Sequence, residues 1–310
     1  MSVNQSLRHL GIPRGTFYRW KKEQAWLRER AEPITPVQAF EALPEEKQAV
    51  IEYALSHPEV RHRELSWRMI DEDVAYLSAS TVYRILRAEE LMYRQRGRTK
   101  RYRDELEKAS QPDEIWATDL MYLKVGGVQY YLVTFIDEYS RYLVHWELLT
   151  NMDGHSISTA AQRAIETLPV NREGKLSVTP IIRSDNGSGY ISGEFVGLLA
   201  HHELTHHRIR PHCPEENGIQ ERFNRTLREG IEEHDLERRY DTERVIGKLI
   251  ANYNAVRLHS SLGFQTPLTW YRGDPSKLER VRCLKLAQAR HRRKQMNLGI
   301  RQRTLSFSNN

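Results

Sequence analysis

Over roughly the first ninety positions apolar residues recur at helical spacing, and from Ile115 the pattern changes to that of strands. Val3 to Leu10 and Arg14 to Lys22 read as a helical pair joined at Gly11-Ile12-Pro13, with Thr16, Tyr18 and Arg19 turned outward. Pro33-Ile34-Thr35-Pro36 then breaks the pattern. A second helical unit of three segments begins at Leu43-Pro44-Glu45-Glu46, where an early proline and acids suit a helix N-terminus. Its third segment runs from Ser80 to Arg87. Val82, Ile85 and Leu86 form one apolar face there, and Thr81, Arg84 and Arg87 lie largely elsewhere. Both units have the outline of a helix-turn-helix, whose second helix offers side chains to a DNA groove. A purely structural helical bundle is the other reading.

The strand-rich part starts with Ile115 to Val125 and Val128 to Asp137, joined at Gly126-Gly127, a strong hairpin signal. Arg141 to Leu149 gives a third strand after a turn at Glu138-Tyr139-Ser140. A helix (His155 to Leu168), a strand (Ser177 to Arg183), a helix (Gly193 to His202), a short strand (Thr205 to Ile209) and a long helix (Asn217 to His234) follow. Three antiparallel strands and then alternating helices and strands describe an α/β ribonuclease H-like core: a mixed five-stranded sheet with flanking helices.

Composition narrows the class. The net charge of +6 suits a polyanionic partner, and its distribution says more. Between Ser276 and Asn310 ten Lys or Arg, among them Arg290, Arg292, Arg293 and Lys294, stand against Glu279 alone. Arg94, Arg96, Arg98, Lys100, Arg101 and Arg103 form a second basic stretch without an acid. Such segments would lie along phosphates and make binding fall steeply with salt, unless they are merely solvated faces or linkers. Only two cysteines occur, Cys213 and Cys283, which indicates neither a disulfide framework nor a thiolate zinc cage. The N-terminus carries no signal pattern and no apolar run reaches a membrane span, so a cytoplasmic protein is expected.

Three acids stand out by placement. Asp119 lies in the first strand among apolar neighbours, where a carboxylate is costly to bury without a partner, and a cation would supply one. Asp185 ends the fourth strand, at the kind of sheet edge where open α/β sheets bind ligands. Glu221 falls in the first turns of the long helix. Taken singly each has an ordinary reading, since strand-end Asp residues cap turns and helical Glu residues are solvated. Sixty-five residues separate Asp119 from Asp185, and 35 separate Asp185 from Glu221. Asp137 suits turn initiation before Glu138-Tyr139-Ser140 better than an outer ligand role. Asn186-Gly187-Ser188-Gly189-Tyr190 reads equally as a plain turn or a mobile loop, and the pairs His201-His202 and His206-His207 make a poor zinc site.

With these spacings the chain resembles the catalytic core of retroviral integrases and insertion-sequence transposases. It is most similar to the second-frame transposases of bacterial elements with two overlapping reading frames. The shared text includes Trp116-Ala117-Thr118-Asp119, Ile136-Asp137-Glu138-Tyr139-Ser140-Arg141, Ser184-Asp185-Asn186-Gly187-Ser188 and Asn217-Gly218-Ile219-Gln220-Glu221-Arg222-Phe223-Asn224. It continues through Tyr253-Asn254, Arg257, His259, Leu262-Gly263 and Thr266-Pro267, so the similarity covers residues 1 to 272.

The resemblance implies a DDE transposase that cleaves and joins DNA at element ends. Asp119, Asp185 and Glu221 would hold two Mg²⁺ ions, with Mn²⁺ able to substitute. It implies double-stranded DNA as partner, self-association at least to a dimer in a synaptic complex, a first-frame product as a candidate partner, and a bacterial, nucleoid-associated setting without membrane. The domains expected are helix-turn-helix units at 1–32 and 33–93, a basic linker at 94–112, the catalytic core at 113–235, a helical extension at 236–275 and a basic helical tail at 276–310. DNA contacts are expected from Arg14, Thr16, Tyr18 and Arg19, from Ser80, Thr81, Tyr83 and Arg84, and from the two basic segments. A helix-turn-helix begins almost at Met1, so the chain is expected to be the second-frame product alone. Two rival readings remain: a domesticated, non-enzymatic DNA-binding regulator, and a ribonuclease H-type nuclease, which would need a fourth carboxylate.

Overall fold

The computed structural model describes residues 3–29, 38–92, 108–210 and 217–308. Pro33 to Pro36, Cys213 and the basic run Arg94, Arg96, Arg98, Lys100, Arg101 and Arg103 lie outside the described residues. The chain divides into two compact units, 1–48 with 286–310, and 49–285.

In the first unit α1 (Val3–His9) and α2 (Arg14–Glu29) form the expected hairpin. Gly11 turns it with φ +65°, a conformation that costs glycine nothing, and Leu7 is buried between the helices. The helix α3 (Pro44–Ser56) begins here, with Leu43 N donating to the Glu46 carboxylate. In the same unit the later part of a long terminal helix grips the chain. Asn297 Nδ2 donates to the carbonyls of Gln38, Ala39 and Glu41 at 3.1, 3.3 and 2.9 Å.

The second unit holds α4 (His62–Asp71) and α5 (Ala79–Ala88). Ser78 caps α5 by accepting from Thr81 N, and Val82 and Leu86 are buried on its inner face, as the periodicity predicts. The strands follow: β1 (Ile115–Val125), β2 (Val128–Asp137) and β3 (Leu143–Leu149). After α6 (Gly154–Ile165) come β4 (Ile181–Ser184), α7 (Gly193–His201) and β5 (His206–Arg208). The chain then forms α8 (Gly218–Ile231), α9 (Arg239–Ala255), α10 (Pro267–Arg272) and α11 (Pro275–Ser308), the helix that runs on into the first unit. Predicted strand 177–183 shifts to Ile181–Ser184, the residues that find ladder partners, Ile181 to Arg183 in parallel with Ile115 to Ala117 and Ile182 to Ser184 in parallel with His206 to Arg208.

Among the described residues the five strands form one sheet in the order β3-β2-β1-β4-β5. The first three are antiparallel neighbours, whereas β4 runs parallel to β1 and β5 parallel to β4. The β1–β2 hairpin closes through Gly126 and Gly127 at φ +54° and +85°, the positive pair a tight two-residue turn requires. A Cβ on Gly126 would also collide with Glu237 O, at 2.3 Å.

Strand alternation then sorts the core. Trp116, Val133, Phe135 and Ile182 pack beneath α6 and α7 with Ile157, Ala160, Phe195 and Leu199. Met121, Leu123, Leu132 and Ile136 pack on the other face against Phe223, Leu227, Ile246 and Ile250 of α8 and α9. Burying each large apolar side chain contributes about 1.5–3 kcal/mol, so covering both faces fixes a three-layer α/β/α arrangement.

Candidate active site

Asp119 has the same strand parity as Met121 and Leu123, so it faces α8. On β4, Ile182 belongs to the opposite core, which turns Arg183 and Asp185 toward the α8 side as well. The register pairs Ala117 with Arg183, and continuing it by two residues sets Asp119 level with Asp185. Parallel pairing thus brings together two carboxylates far apart in sequence. Asp119 accepts from Leu120 N at 2.9 Å and from Asn224 Nδ2 at 2.8 Å. Burial, helped by the neighbouring Asp185, pushes its pKa up to about 6 against the lowering effect of the Leu120, Asn224 and Asn217 hydrogen bonds. Asp185 follows directly after β4, and its Oδ1 accepts from Gly187 N at 2.9 Å. A Cβ on Gly187 would lie 3.0 Å from that oxygen, so the glycine keeps the turn close to the carboxylate. The 186–190 segment is an anchored turn: Asn186 Nδ2 donates to Ile209 O at 3.0 Å and Tyr190 N to Gly187 O at 3.0 Å.

Glu221 reaches the site through its helix. The fully buried Gln220 donates from Nε2 to Ala117 O at 2.9 Å and to Thr134 O at 3.2 Å, the latter belonging to the β2 residue paired with Asp119. One amide therefore fastens the first turn of α8 across two strands beside Asp119. Glu221 comes next, and it lies one turn before Asn224, on the helix face that touches Asp119. Its own side chain is exposed. Among the described residues no three His, Cys, Asp or Glu side chains converge closely enough to hold an ion, so Asp119 and Asp185 are brought together and Glu221 stands beside them. The donor set suits a hard divalent cation, because carboxylate oxygens are its preferred ligands and an Asp raised by burial and a like charge gains from a counter-charge.

In the sequence Gln220 and Asn224 figure only as part of the shared run Asn217 to Asn224, and their roles come from what tertiary packing sets opposite them. The same holds for Arg183, whose Nη1 donates to both oxygens of Glu138 at 2.7 and 2.8 Å in a buried ion pair two residues before Asp185. Asp137 serves the turn: it accepts from Ser140 N and Oγ and from Asp113 N, and it pairs with Trp116, not with Asp119. The histidines have local partners, His202 Nε2 with Gln162 and His206 Nε2 with Ser184 Oγ at 2.9 Å.

The residues expected at DNA divide by exposure. Arg14, Tyr18 and Arg19 on α2, and Ser80, Tyr83 and Arg84 on α5, are exposed, whereas Thr16 and Thr81 are half-buried. Arg290, Arg292 and Lys294 are exposed on α11, with the Arg290 guanidinium 4.5 Å from the Phe40 ring centroid. Arg293, by contrast, sits on the buried stripe of α11 and donates to Glu46 at 2.8 Å. Arg282 departs from the tail reading in the same way. It is 2% exposed, clamps Asp71 through Nε and Nη2, and donates to the carbonyls of Gly263 and Phe264. A helix of this basicity hides part of its charge because an ion-paired stripe replaces an apolar one.

Residues 109–214 match one integrase core domain family and residues 202–267 a second family of the same description. The transposase for insertion sequence element IS904 of Lactococcus lactis is 29% identical over 164 residues, 52% of this chain and 62% of that protein. Transposase InsF for insertion sequence IS3A of Escherichia coli is 29% identical over 161 residues, 51% of this chain and 54% of its own. A 39.2 kDa protein of insertion element IS476 from Xanthomonas euvesicatoria is 26% identical over 220 residues, 69% and 61% respectively. The chain thus spans 54–62% of the length of these curated relatives. Among solved structures, the HTLV-2 integrase catalytic core domain in complex with magnesium aligns with TM-score 0.42 and 19% identity, over 53% of this chain and 100% of that one. No helix among the described residues is long and apolar enough to cross a membrane.

Proposed function

We propose that this chain, whose residues 109–214 and 202–267 match two integrase core domain families and which is similar to insertion-sequence transposases, cleaves DNA strands and joins them at element ends. The observation that carries the reading is the pairing of Asp119 with Asp185 on one sheet face, with Glu221 held beside them through Gln220 and Asn224.

Phosphodiester transfer needs a water or 3′-hydroxyl made nucleophilic, a leaving alkoxide stabilised, and extra charge on the phosphate accommodated. Divalent cations, two Mg²⁺ or Mn²⁺ in this reading, supply that charge stabilisation when bound. Asp119, Asp185 and Glu221 would hold them. Asn224 orients Asp119 by donating to one oxygen and leaves the other facing Leu120 N. Gly187 N does the same for Asp185, so each Asp is positioned before any ligand arrives. No side chain acts as covalent nucleophile, which lets one site hydrolyse first and join later.

In this reading the α1–α2 and α4–α5 hairpins contact DNA through Arg14, Thr16, Tyr18 and Arg19 and through Ser80, Thr81, Tyr83 and Arg84. The basic run at Arg94 to Arg101 and the α11 residues Arg290, Arg292 and Lys294 add phosphate contacts. A self-associated synaptic complex would hold two ends together, and a first-frame product is a candidate further partner. The decisive experiment measures Mg²⁺-dependent nicking and strand transfer with a duplex carrying the element end. Asp119→Asn, Asp185→Asn and Glu221→Gln are each expected to abolish both reactions and leave duplex binding in EDTA intact. Full activity in any of the three overturns the site assignment.

A further inference from the structure

Tyr190 ends the turn that follows Asp185, and it is directed away from the carboxylates. It is fully buried in the core beneath α6 and α7, edge to face with Phe195 at 5.4 Å, on the sheet face opposite Asp119. Packing in that core calls for a ring alone. The hydroxyl adds a desolvation cost that a phenylalanine would not carry, offset by a hydrogen bond shared with Thr118 Oγ1 at 3.0 Å. Thr118 is also fully buried. It directly precedes Asp119 on β1 and, by strand alternation, points to the face that Asp119 leaves.

These contacts close a circuit between the two carboxylates. Asp185 Oδ1 accepts from Gly187 N at 2.9 Å, and Gly187 O accepts from Tyr190 N at 3.0 Å. Tyr190 then reaches Thr118 through its hydroxyl, and one peptide bond leads to Asp119. The β1–β4 ladder ends at Ala117 and Arg183, two residues short of both acids, so the circuit spans the gap that backbone pairing leaves open. The turn is backed on its outer side too. A Cβ on Gly189 would lie 2.9 Å from Met152 O and closer still to the Ile157 side chain.

We propose that Tyr190 is a positioning residue for the divalent cation of the Asp119–Asp185 pair: by fastening the Asp185 turn to Thr118, it sets the separation of the two carboxylates. Like charges push such a pair apart, and the ladder, ending earlier, does not oppose the drift. A clamp on the opposite sheet face opposes it without placing any group in the ligand's way. Asn224 steers Asp119 from the α8 side, whereas Tyr190 governs where Asp185 stands relative to it.

The proposal rests on the reading of Asp119 and Asp185 as cation ligands, and its test reads the cation directly. Mn²⁺ binding to the full chain without DNA is followed by the electron paramagnetic resonance of the free ion. Tyr190→Phe and Thr118→Val are each expected to weaken binding about tenfold, the lower end of what lost outer-shell partners cost, and to leave duplex binding in EDTA unchanged. The double variant should bind no more weakly than either single, because both changes remove the same bond. Thr118→Ser keeps the hydroxyl and should bind like the parent. Unchanged Mn²⁺ affinity in Tyr190→Phe overturns the proposal. So does an equal loss in Ile165→Val, which loosens the same core without touching the circuit. Should Tyr190→Phe fail to fold, the contrast of Thr118→Val with Thr118→Ser decides the question. Asp185→Asn, run in parallel, separates the two ideas. If it binds Mn²⁺ like the parent, the carboxylate assignment falls and the proposal with it; if it loses the ion while Tyr190→Phe keeps it, only the role of Tyr190 is refuted.

Discussion

The Arg183–Glu138 pair allows a sharp test of how the sheet holds Asp185 in place. Arg183 and Glu138 side chains are 4% and 6% exposed and joined at 2.7 Å, with both Glu138 oxygens on Nη1. Removing Arg183 leaves a carboxylate buried among apolar strands, a change that costs about 3–5 kcal/mol. Replacing both partners by apolar residues removes the desolvation penalty with the attraction, so the double variant is expected within about 1 kcal/mol of the parent. Arg183→Met, Glu138→Leu and the double variant are to be compared by urea unfolding at pH 7.5, followed by the fluorescence of the buried Trp116. Burial already raises Glu138 against the pull of Arg183, so in Arg183→Met the protonated acid is the more tolerable form. Stability of that variant should therefore recover as pH falls and be lost as pH rises. A cost below about 1 kcal/mol for Arg183→Met, or a double variant as unstable as the sum of the singles, would refute the reasoning.

Other outcomes follow from the same geometry. Asp119 is raised from its ordinary 3.8 to about 6, so the folded protein keeps a proton that the unfolded chain releases, and stability in EDTA should fall as pH rises through that interval. Asp119→Asn should flatten the dependence in thermal melts, and superimposable profiles would contradict the burial argument. Gln220→Leu strands two strand carbonyls, at about 1–3 kcal/mol each before any apolar gain, and should cut strand transfer by more than it lowers duplex binding. Equal losses in both would remove Gln220 from the positioning of Glu221. On α11, Arg292→Gln should lower the salt dependence of DNA binding with little change in melting temperature. Arg293→Gln, which abandons Glu46, should lower the melting temperature and leave the salt slope unaltered, and the reverse pattern would show that Arg293 faces DNA.

Local order was legible in the chain because it is written in periodicity and turn chemistry. The hairpin at Gly126-Gly127, the capped helix after Ser78, the apolar face of Val82 and Leu86, and the placement of Asp119 on a strand, Asp185 at a strand end and Glu221 in a first helical turn all depend on near neighbours. Tertiary structure alone decided what those residues meet. Parallel pairing of β4 with β1 sets Asp185 level with Asp119, and the strand parity sends both to the α8 side. Gln220 and Asn224 gained roles only because a helix lies across two strands, and 103 and 105 residues separate them from the partners they hold. The basic tail shows the same limit from the other side. Its charge is plain in the sequence, yet burial of Arg282 and Arg293 against Asp71 and Glu46 withdraws part of it from any phosphate. Spacing along a chain determines which face a side chain takes, and only packing of distant segments determines what stands opposite that face.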